Sequence, residues 1–199
     1  CTPTTGLNHI DLEECEKKQI EIVSLKSEYN FLSTIRATPE HTIGLILSLL
    51  RNYKEAFLSD NNPHWDREKY KGFELYENSV GIVGFGRVGK ILAKYFKAFG
   101  AKVYFNDIDD SIQEIHGAIK LSTPEDVINK SNIVILSASY TESNHQFFDK
   151  KKIGLLENKY FINTARGELV DEEYLITKID QNFFKGIAID VIQNEQLIN

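Results

Sequence analysis

Residues Val80–Leu92 read VGIVGFGRVGKIL, an apolar run interrupted by three glycines with the spacing G-x-G-x-x-G. The apolar residues before Gly84 predict a buried strand, and those after Gly89 recur at the spacing of a helix. A turn of this kind either binds the phosphates of a dinucleotide or simply joins a strand to a helix. Because the motif alone leaves both interpretations open, the surrounding sequence has to decide between them.

From residue 79 onward, short apolar segments alternate with amphipathic ones. The predicted strands are Ser79–Val83, Ala101–Asn106, Ala118–Leu121, Asn132–Ser137, Lys159–Asn163 and Lys185–Asp190. One predicted helix carries apolar residues from Val88 to Phe99 and ends before Gly100. Two more begin at Thr123 and Asp171, which are suited to cap a helix. Strands that alternate with helices predict an α/β fold with a doubly wound parallel sheet.

Upstream of the sheet, the sequence predicts one long helix. Thr38 is placed at its N-cap and Pro39 in its first turn, and apolar residues follow at helical spacing as far as Phe57. Because these residues cover more than one side, the helix is expected to be buried between layers. The stretch Asp60–Tyr76, which contains Asn-Asn-Pro and a glycine, is interpreted as an irregular surface connection.

The strand, glycine turn and helix occur in the order that a dinucleotide site requires. In such a site Gly84 allows the tight turn, Gly86 lets the main chain approach the pyrophosphate, and Gly89 lets helix and strand pack closely. The pyrophosphate would accept hydrogen bonds from amides near Arg87 and Val88, at the positive end of the helix. The context therefore favours a nucleotide site over a simple connecting turn.

An acidic residue ends the second predicted strand at about the 20-residue spacing of the motif, namely Asp107. Its carboxylate can accept hydrogen bonds from ribose hydroxyls and would repel a 2′-phosphate. Asp109 and Asp110 follow, and we expect no arginine or lysine near enough to hold that phosphate. NAD is therefore the predicted cofactor rather than NADP.

A second informative stretch is INTARGELVDEEYL, residues Ile162–Leu175, which follows a predicted strand and precedes a helix. Arg166 is therefore expected at the carboxyl edge of the sheet, where doubly wound folds bind ligands. Arginine is scarce in this lysine-rich chain, and its planar fork suits a carboxylate. A surface salt bridge with Glu168 or Asp171 would explain the same arginine equally well.

Several segments, in order along the chain, resemble the D-isomer-specific 2-hydroxyacid dehydrogenases, in particular phosphoglycerate dehydrogenase-like members. They are TGLNHID (Thr5–Asp11), ATPEHT (Ala37–Thr42), LLR (Leu49–Arg51), GIVGFG (Gly81–Gly86), NTARG (Asn163–Gly167), LVD (Leu169–Asp171), IDV (Ile189–Val191) and Glu195. The resemblance implies a Rossmann-type NAD-binding domain at residues 37–199. Residues 1–36 would be a remnant of the substrate domain and the crossover segment that follows it.

At the matching positions, the resemblance implies that Arg166 binds the carboxylate and carbonyl oxygen of a 2-oxo acid. It implies that Glu195 pairs with a catalytic histidine and raises its pKa, so that the histidine serves as acid and base. Asp190 would contact the nicotinamide carboxamide, and Asp107 the adenosine ribose. The remaining residues expected to bind the cofactor are Ser137, Thr164 and Ala165.

The family's catalytic histidine is expected beyond Asn199, since none of the chain's five histidines matches its position; they are His9, His41, His64, His116 and His145. His41 is assigned a structural role in the buried helix, and His145 lies in a loop after the fourth strand. Most of the substrate domain is expected upstream of Cys1. The chain by itself is therefore expected to be inactive.

The net charge of −6 argues against a nucleic acid or an anionic membrane as partner. Two cysteines without a C-x-x-C pair predict no metal site and a cytoplasmic location. The predicted function is NAD-dependent oxidation of small D-2-hydroxy acids, or reduction of 2-oxo acids, by a homodimer. The alternatives are an NAD-sensing interaction module, similar to corepressors on this scaffold, and an S-adenosylmethionine-dependent methyltransferase.

Overall fold

The computed structural model describes residues 1–7, 9–58 and 68–195. The chain divides into two compact units, Cys1–Ala37 and Thr38–Asn199. The smaller unit contains two short helices, α1 (Leu12–Lys17) and α2 (Tyr29–Leu32). Asp11 caps α1, because its carboxylate accepts a hydrogen bond of 2.9 Å from the amide of Glu14.

The larger unit is built on a six-stranded sheet in which all neighbouring strands are parallel. The strands are β1 (Ser79–Val83), β2 (Lys102–Asn106), β3 (Ile119–Lys120), β4 (Ile133–Leu136), β5 (Tyr160–Asn163) and β6 (Gly186–Ile189). Their spatial order is β3-β2-β1-β4-β5-β6. This confirms the predicted doubly wound sheet. The order reverses between β1 and β4, where such sheets form a ligand-binding crevice.

Six further α-helices and two short 3-10 helices belong to the described part of the larger unit. The α-helices are α3 (Ala37–Leu50), α4 (Tyr53–Leu58), α5 (Arg87–Ala98), α6 (Pro124–Lys130), α7 (Lys150–Gly154) and α8 (Glu172–Asp180), and the 3-10 helices are η1 (Glu142–Asn144) and η2 (Gly167–Leu169). Thr123 and Asp171 cap α6 and α8 through their side chains, and Gly100 follows α5 with a φ of 75°. These three predicted helix ends are confirmed.

Apolar side chains cover both faces of the sheet. On one face, Ile82 and Phe105 pack in a cluster with residues of α3 and α5, including Phe96. On the other face, Val134 and Phe161 pack with residues of α6, α7 and α8. The central strands β4 and β5 are buried along their whole length, which explains why their sequences are continuous apolar runs.

The helix predicted from Thr38 to Phe57 is wrong in two respects. Its first residue is Ala37 instead of Pro39, so Thr38 lies in the first turn of α3 instead of at its N-cap. It also ends at Leu50, because Asn52 has a φ of 52°, a left-handed conformation that stops a helix, and α4 then begins separately. Only one stripe of α3 is fully buried, whereas His41 on another side is exposed. The expectation that this helix is buried on more than one side is therefore also wrong, and His41 lies on its exposed side.

The predicted irregular connection between residues 60 and 76 is described in part. Residues 68–76 contain neither a helix nor a strand, which confirms that part of the prediction. Leu75 nevertheless contributes to the core and is only 5% exposed. Residues 60–67, which include His64, lie outside the described residues, as do Asn8 and Gln196.

Candidate nucleotide-binding site

The three glycines of the turn after β1 each meet a different geometric requirement. Gly84 has a φ of 91°, and a Cβ atom there would lie 2.5 Å from the backbone of Ala138. A Cβ on Gly86 would meet nothing within 4 Å, whereas one on Gly89 would lie 2.7 Å from the carbonyl oxygen of Gly84. The turn thus combines a tight bend, open space for a ligand and close helix–strand packing, as a dinucleotide turn requires.

The open space at Gly86 adjoins the N-terminus of α5. Gly86 is the N-cap residue of this 12-residue helix, and Arg87 and Val88 form the start of its first turn. First-turn amides have no acceptor within their own helix, and the helix dipole makes this end positive. The predicted position of the pyrophosphate is therefore both open and positively polarised.

The carboxylate of Asp107 joins the glycine turn to the end of β2. One of its oxygens accepts a hydrogen bond of 2.5 Å from the amide of Phe85, and the other accepts one of 2.9 Å from the amide of Asp109. The residue is half-buried. Because each carboxylate oxygen can accept two hydrogen bonds, both oxygens keep capacity for ribose hydroxyls.

A lysine of β3 lies against the loop after Asp107, and the sequence interpretation missed this contact. Pairing of β3 with β2 brings the Nζ atom of Lys120 to 3.4 Å from a carboxylate oxygen of Asp110 and 3.0 Å from its carbonyl oxygen. The expectation that no basic residue lies near this loop is therefore wrong, since sheet pairing, not sequence proximity, places Lys120 there. The ammonium is already paired with Asp110, so Asp107 remains the residue predicted to favour NAD over NADP.

Asp109, in the same loop, is held as an anion by its neighbours. Hydrogen bonds from the hydroxyl and amide of Ser111 are the main reason that its pKa lies below the ordinary value, and Lys120 and Lys90 lower it further. The loop therefore adds negative charge beside Asp107. This charge also disfavours a 2′-phosphate.

Ser137 lies directly after β4, beside the point where the strand order reverses. Its amide donates a hydrogen bond of 2.8 Å to the carbonyl oxygen of Val83, at the end of β1. Its Oγ atom is buried and has no hydrogen-bond partner among the described residues. A buried hydroxyl without a partner is costly, so this position fits a site that a polar ligand completes.

The loop after β5 is shaped by a buried asparagine. The side chain of Asn163 accepts a hydrogen bond from the Ala165 amide and donates one to the Arg166 carbonyl, both of 3.0 Å. The next residue, Thr164, is buried, and its hydroxyl lies 2.9 Å from that of Thr42 in α3. These bonds fix the loop at the carboxyl edge of the sheet.

Arg166 is half-buried, and its Nη1 atom donates a hydrogen bond of 2.6 Å to the carbonyl of Ala165. Among the described residues, no carboxylate lies within 4 Å of its guanidinium group. Asp171 instead accepts a hydrogen bond from the amide of Tyr174 at the start of α8. The alternative of a salt bridge with Glu168 or Asp171 is therefore wrong.

Gly167 has a role that the sequence interpretation did not identify. A Cβ atom there would overlap the backbone of Ile192 and Gln193, so the segment after β6 passes directly against it. That segment is also fixed by hydrogen bonds of 2.7 Å from Gln193 to Glu172 and to the carbonyl of Val170. The two predicted site segments, after β5 and after β6, therefore lie side by side.

The segment after β6 begins with Asp190, whose amide donates a hydrogen bond of 3.0 Å to the carbonyl of Asn163. The Oδ1 atom of Asp190 lies 3.1 Å from the Nε2 atom of His41, a contact that the sequence interpretation missed. Glu195 is exposed and accepts a hydrogen bond of 3.0 Å from the amide of Ile192. Asp190, but not Glu195, is thus placed by residues of β5 and α3.

The described residues 1–7, 9–58 and 68–195 contain no group of three or more His, Cys, Asp or Glu residues that could hold a metal ion. No helix in that part of the chain is both long and apolar enough to cross a membrane. His145 is exposed in the loop after β4, and the centroid of its ring lies 6.2 Å from that of Tyr140 in a T-shaped arrangement.

The strand order, the glycine turn and the acidic residue after β2 define a Rossmann-type dinucleotide-binding domain. The chain belongs to the D-isomer specific 2-hydroxyacid dehydrogenase, NAD binding domain family, whose sequence pattern matches residues 43–199. The family and the NAD cofactor predicted from the sequence are thereby confirmed.

Individual relatives carry different enzyme names. The chain is 28% identical over 193 residues to a D-3-phosphoglycerate dehydrogenase of Methanocaldococcus jannaschii, with 96% of this chain and 36% of the relative covered. It is 28% identical over 203 residues to a glyoxylate reductase of Thermofilum pendens, with 98% and 58% covered. The crystal structure of D-lactate dehydrogenase from Aquifex aeolicus, complexed with NAD and lactic acid, matches with a TM-score of 0.82 at 29% identity, covering 98% of this chain and 58% of that one. The chain thus spans between about a third and three fifths of these proteins.

Proposed function

We propose that the chain forms the NAD-binding domain of an oxidoreductase that interconverts small D-2-hydroxy acids and 2-oxo acids. The observation that supports this most directly is the position of the Arg166 guanidinium and its lack of a carboxylate partner among the described residues. This guanidinium lies at the carboxyl edge of the sheet, and no carboxylate of the described residues pairs with it. An arginine in this setting can bind the carboxylate of a substrate through two parallel hydrogen bonds.

In this proposal the cofactor lies across the carboxyl edge of the sheet. Amides near Arg87 and Val88 bind the diphosphate above Gly86, and Asp107 accepts hydrogen bonds from the adenosine ribose. Ser137, Thr164 and Ala165 line the crevice between these groups and the nicotinamide. Asp190 accepts a hydrogen bond from the carboxamide and so orients the nicotinamide ring.

The chain's residues have separate tasks in the reaction. A bound nicotinamide cofactor would supply the hydride chemistry: the oxidised form as acceptor for the 2-hydroxy acid and the reduced form as donor for the 2-oxo acid. Arg166 holds the carboxylate and the carbonyl oxygen, which fixes the reacting carbon in position. Glu195 stabilises the protonated form of a histidine that exchanges the hydroxyl proton. That histidine is not assigned to any of the chain's five histidines, because none occupies the matching position.

The test uses the full gene product, with NADH and a panel of 2-oxo acids that includes glyoxylate, pyruvate and phosphohydroxypyruvate. We expect NADH-dependent reduction of at least one acid. Arg166→Lys keeps the charge but loses the fork, so kcat/KM should fall about 100-fold, equivalent to roughly 2.7 kcal/mol, with the Kd for NADH unchanged. Arg51→Lys is the matched control, since Arg51 is exposed at the end of α3.

Two results would contradict the proposal. One is saturable NADH binding without reduction of any acid in the panel. The other is an Arg166→Lys variant with unchanged kcat/KM. Self-association that depends on NADH, without turnover, would favour the NAD-sensing interaction module instead.

We also propose a homodimer, as the family resemblance implies, and a cytoplasmic location, as the cysteine content predicts. Cys1 and Cys15 are both free, which fits a reducing compartment. Sedimentation velocity of the full gene product tests the oligomeric state, and a single monomeric species at micromolar concentration would contradict a dimer.

A further inference from the structure

His41 and Asp190 meet across the carboxyl edge of the sheet, although they are far apart in the sequence. The Nε2 atom of His41, in α3, lies 3.1 Å from the Oδ1 atom of Asp190, directly after β6. Their side chains are 50% and 43% exposed. The contact therefore lies at the surface, where the carboxylate of Asp190 is accessible to a ligand.

The neighbouring residue of α3 makes a second contact with the same edge. The hydroxyl of Thr42 is fully buried and lies 2.8 Å from the Thr38 carbonyl and 2.9 Å from the Thr164 hydroxyl. Because Thr42 donates its only hydroxyl proton to that carbonyl, Thr164 is the donor to Thr42. Successive residues of one helix thus contact the segments after β5 and β6. His41 is consequently held by a packed helix, and a helix fixes a side chain more tightly than a loop does.

The carboxylate of Asp190 is restrained by this contact alone. In the described part of the chain, His41 is the only residue that forms a hydrogen bond or ion pair with this carboxylate. The backbone is fixed separately by the 3.0 Å bond from the Asp190 amide to Asn163. Without His41, the side chain would be free to change rotamer. With it, Oδ1 is occupied and Oδ2 remains available.

We propose that His41 is a positioning residue for the nicotinamide end of the cofactor. With a proton on Nε2, it donates a hydrogen bond to Oδ1 of Asp190 and directs Oδ2 toward the carboxamide amino group. This inference rests on the proposed role of Asp190. It assigns a function to a histidine that touches neither the substrate nor the cofactor. The relation resembles that of outer residues that orient metal ligands, whose loss weakens binding without removing the ligand itself.

Loss of the His41 contact should affect the binding of the nicotinamide end of the cofactor only. Binding of NADH benefits from an oriented Asp190, because the carboxylate need not be ordered when the carboxamide arrives. Binding of ADP-ribose, which has no nicotinamide, uses only the glycine turn and Asp107. A change at His41 should therefore weaken the binding of NADH and leave the binding of ADP-ribose unchanged. General damage to α3 would weaken the binding of both.

The experiment measures Kd for NADH and for ADP-ribose by calorimetry on the purified chain. His41→Leu should raise the Kd for NADH about tenfold, the size expected from one hydrogen bond to a charged group. His41→Gln, whose amide can donate to Oδ1, should restore most of this loss. Glu40→Gln, a neighbouring exposed change in α3, is the matched control and should alter neither Kd.

A double-mutant cycle provides a second measurement. In an Asp190→Asn background, His41→Leu should have little further effect on NADH binding, because its target carboxylate is absent. Unchanged NADH affinity in His41→Leu would overturn the inference, as would equal weakening of NADH and ADP-ribose. If the unaltered chain itself shows no saturable NADH binding, the proposed function fails instead, so the two failures are distinguishable.

Discussion

Asp107 is bonded to two main-chain amides, those of Phe85 and Asp109, at 2.5 and 2.9 Å. The carboxylate therefore stabilises the glycine turn in addition to any bond it makes with a ribose. Such charge-assisted bonds are stronger than neutral ones and fix the position of the acceptor oxygens. The residue that we propose to select the cofactor is consequently preorganised by the turn that we propose to bind its phosphates.

Asp107→Asn removes the negative charge and one acceptor oxygen while it keeps the shape of the side chain. We expect the Kd for NADH to rise at least about tenfold, since hydrogen bonds to charged groups contribute roughly 1.5–3 kcal/mol. The preference for NADH over NADPH should also decrease, because repulsion of the 2′-phosphate is weaker. Titration of cofactor fluorescence measures both. Asp180→Asn, an equal change of charge at an exposed residue at the end of α8, serves as the control; a shift as large as that of Asp107→Asn would contradict the assignment.

Asp149, the N-cap residue of α7, should make the stability of the fold depend on pH. Partial burial opposes its ionisation, but the amide and ammonium group of Lys152, with Lys151, outweigh that effect and hold its pKa below the ordinary value. Since the folded pKa is the lower one, this residue stabilises the fold above about pH 4 and loses that effect as the pH falls through the folded pKa.

The test of this prediction compares the chain with Asp149→Asn, in which asparagine still caps α7. The variant should be less stable by under about 1 kcal/mol at roughly pH 6, because solvent partly screens the pair of Asp149 and Lys152. The gap should narrow progressively as the pH falls below about 4. Urea unfolding at both pH values measures the difference. A gap that widened on acidification would show that the sign is wrong.

At the scale of elements, the glycine turn sets the distance between β1, α5 and the loop after β4. Gly84→Ala would place a methyl group 2.5 Å from the Ala138 backbone and force a positive φ on alanine. We expect a loss of at least about 2 kcal/mol in the free energy of unfolding. Gly44→Ala in α3 is the control, because a Cβ atom there meets nothing within 4 Å. This substitution should stabilise the helix by roughly 0.5–1 kcal/mol. Equal effects in urea unfolding would contradict this account.

Strands and helix caps could be predicted from the sequence because their signals are local. A buried parallel strand is a continuous apolar run, and Thr123 and Asp171 cap helices through residues only three positions away. The end of α3 was missed because Leu50 and Phe57 fit one helical pattern, and nothing in that pattern reveals the left-handed backbone at Asn52.

The parts of the site that sequence reasoning missed depend on contacts between elements. Lys120 reaches Asp110 only because β3 pairs with β2, and Gly167 is required only because the segment after β6 passes against it. The contact between His41 and Asp190 likewise needs α3 to cross the ends of β5 and β6. The glycine turn was accessible because its three requirements lie within six residues of one another.

At the scale of the whole molecule, the proposed site exists only when the parallel sheet is complete. The segments after β1, β2, β4, β5 and β6 all contribute to it, and parallel strands bring their carboxyl ends to one edge. An unfolded chain holds these groups far apart and has no comparable site. A dinucleotide should therefore bind the folded state and not the unfolded one.

This difference predicts the effect of ligands on thermal unfolding. NADH at about 100 times its Kd should raise the free energy of unfolding by roughly 2.7 kcal/mol. For a chain of this size, the corresponding increase in Tm is about 5–10 °C. S-adenosylmethionine at the same concentration should produce no shift, since its carboxylate and sulfonium groups do not match a diphosphate site at the N-terminus of α5. Differential scanning calorimetry measures the Tm shift with each ligand. Asp107→Asn should reduce the Tm shift that NADH produces. A shift with S-adenosylmethionine and none with NADH would instead support the methyltransferase alternative, in which Arg166 has no role.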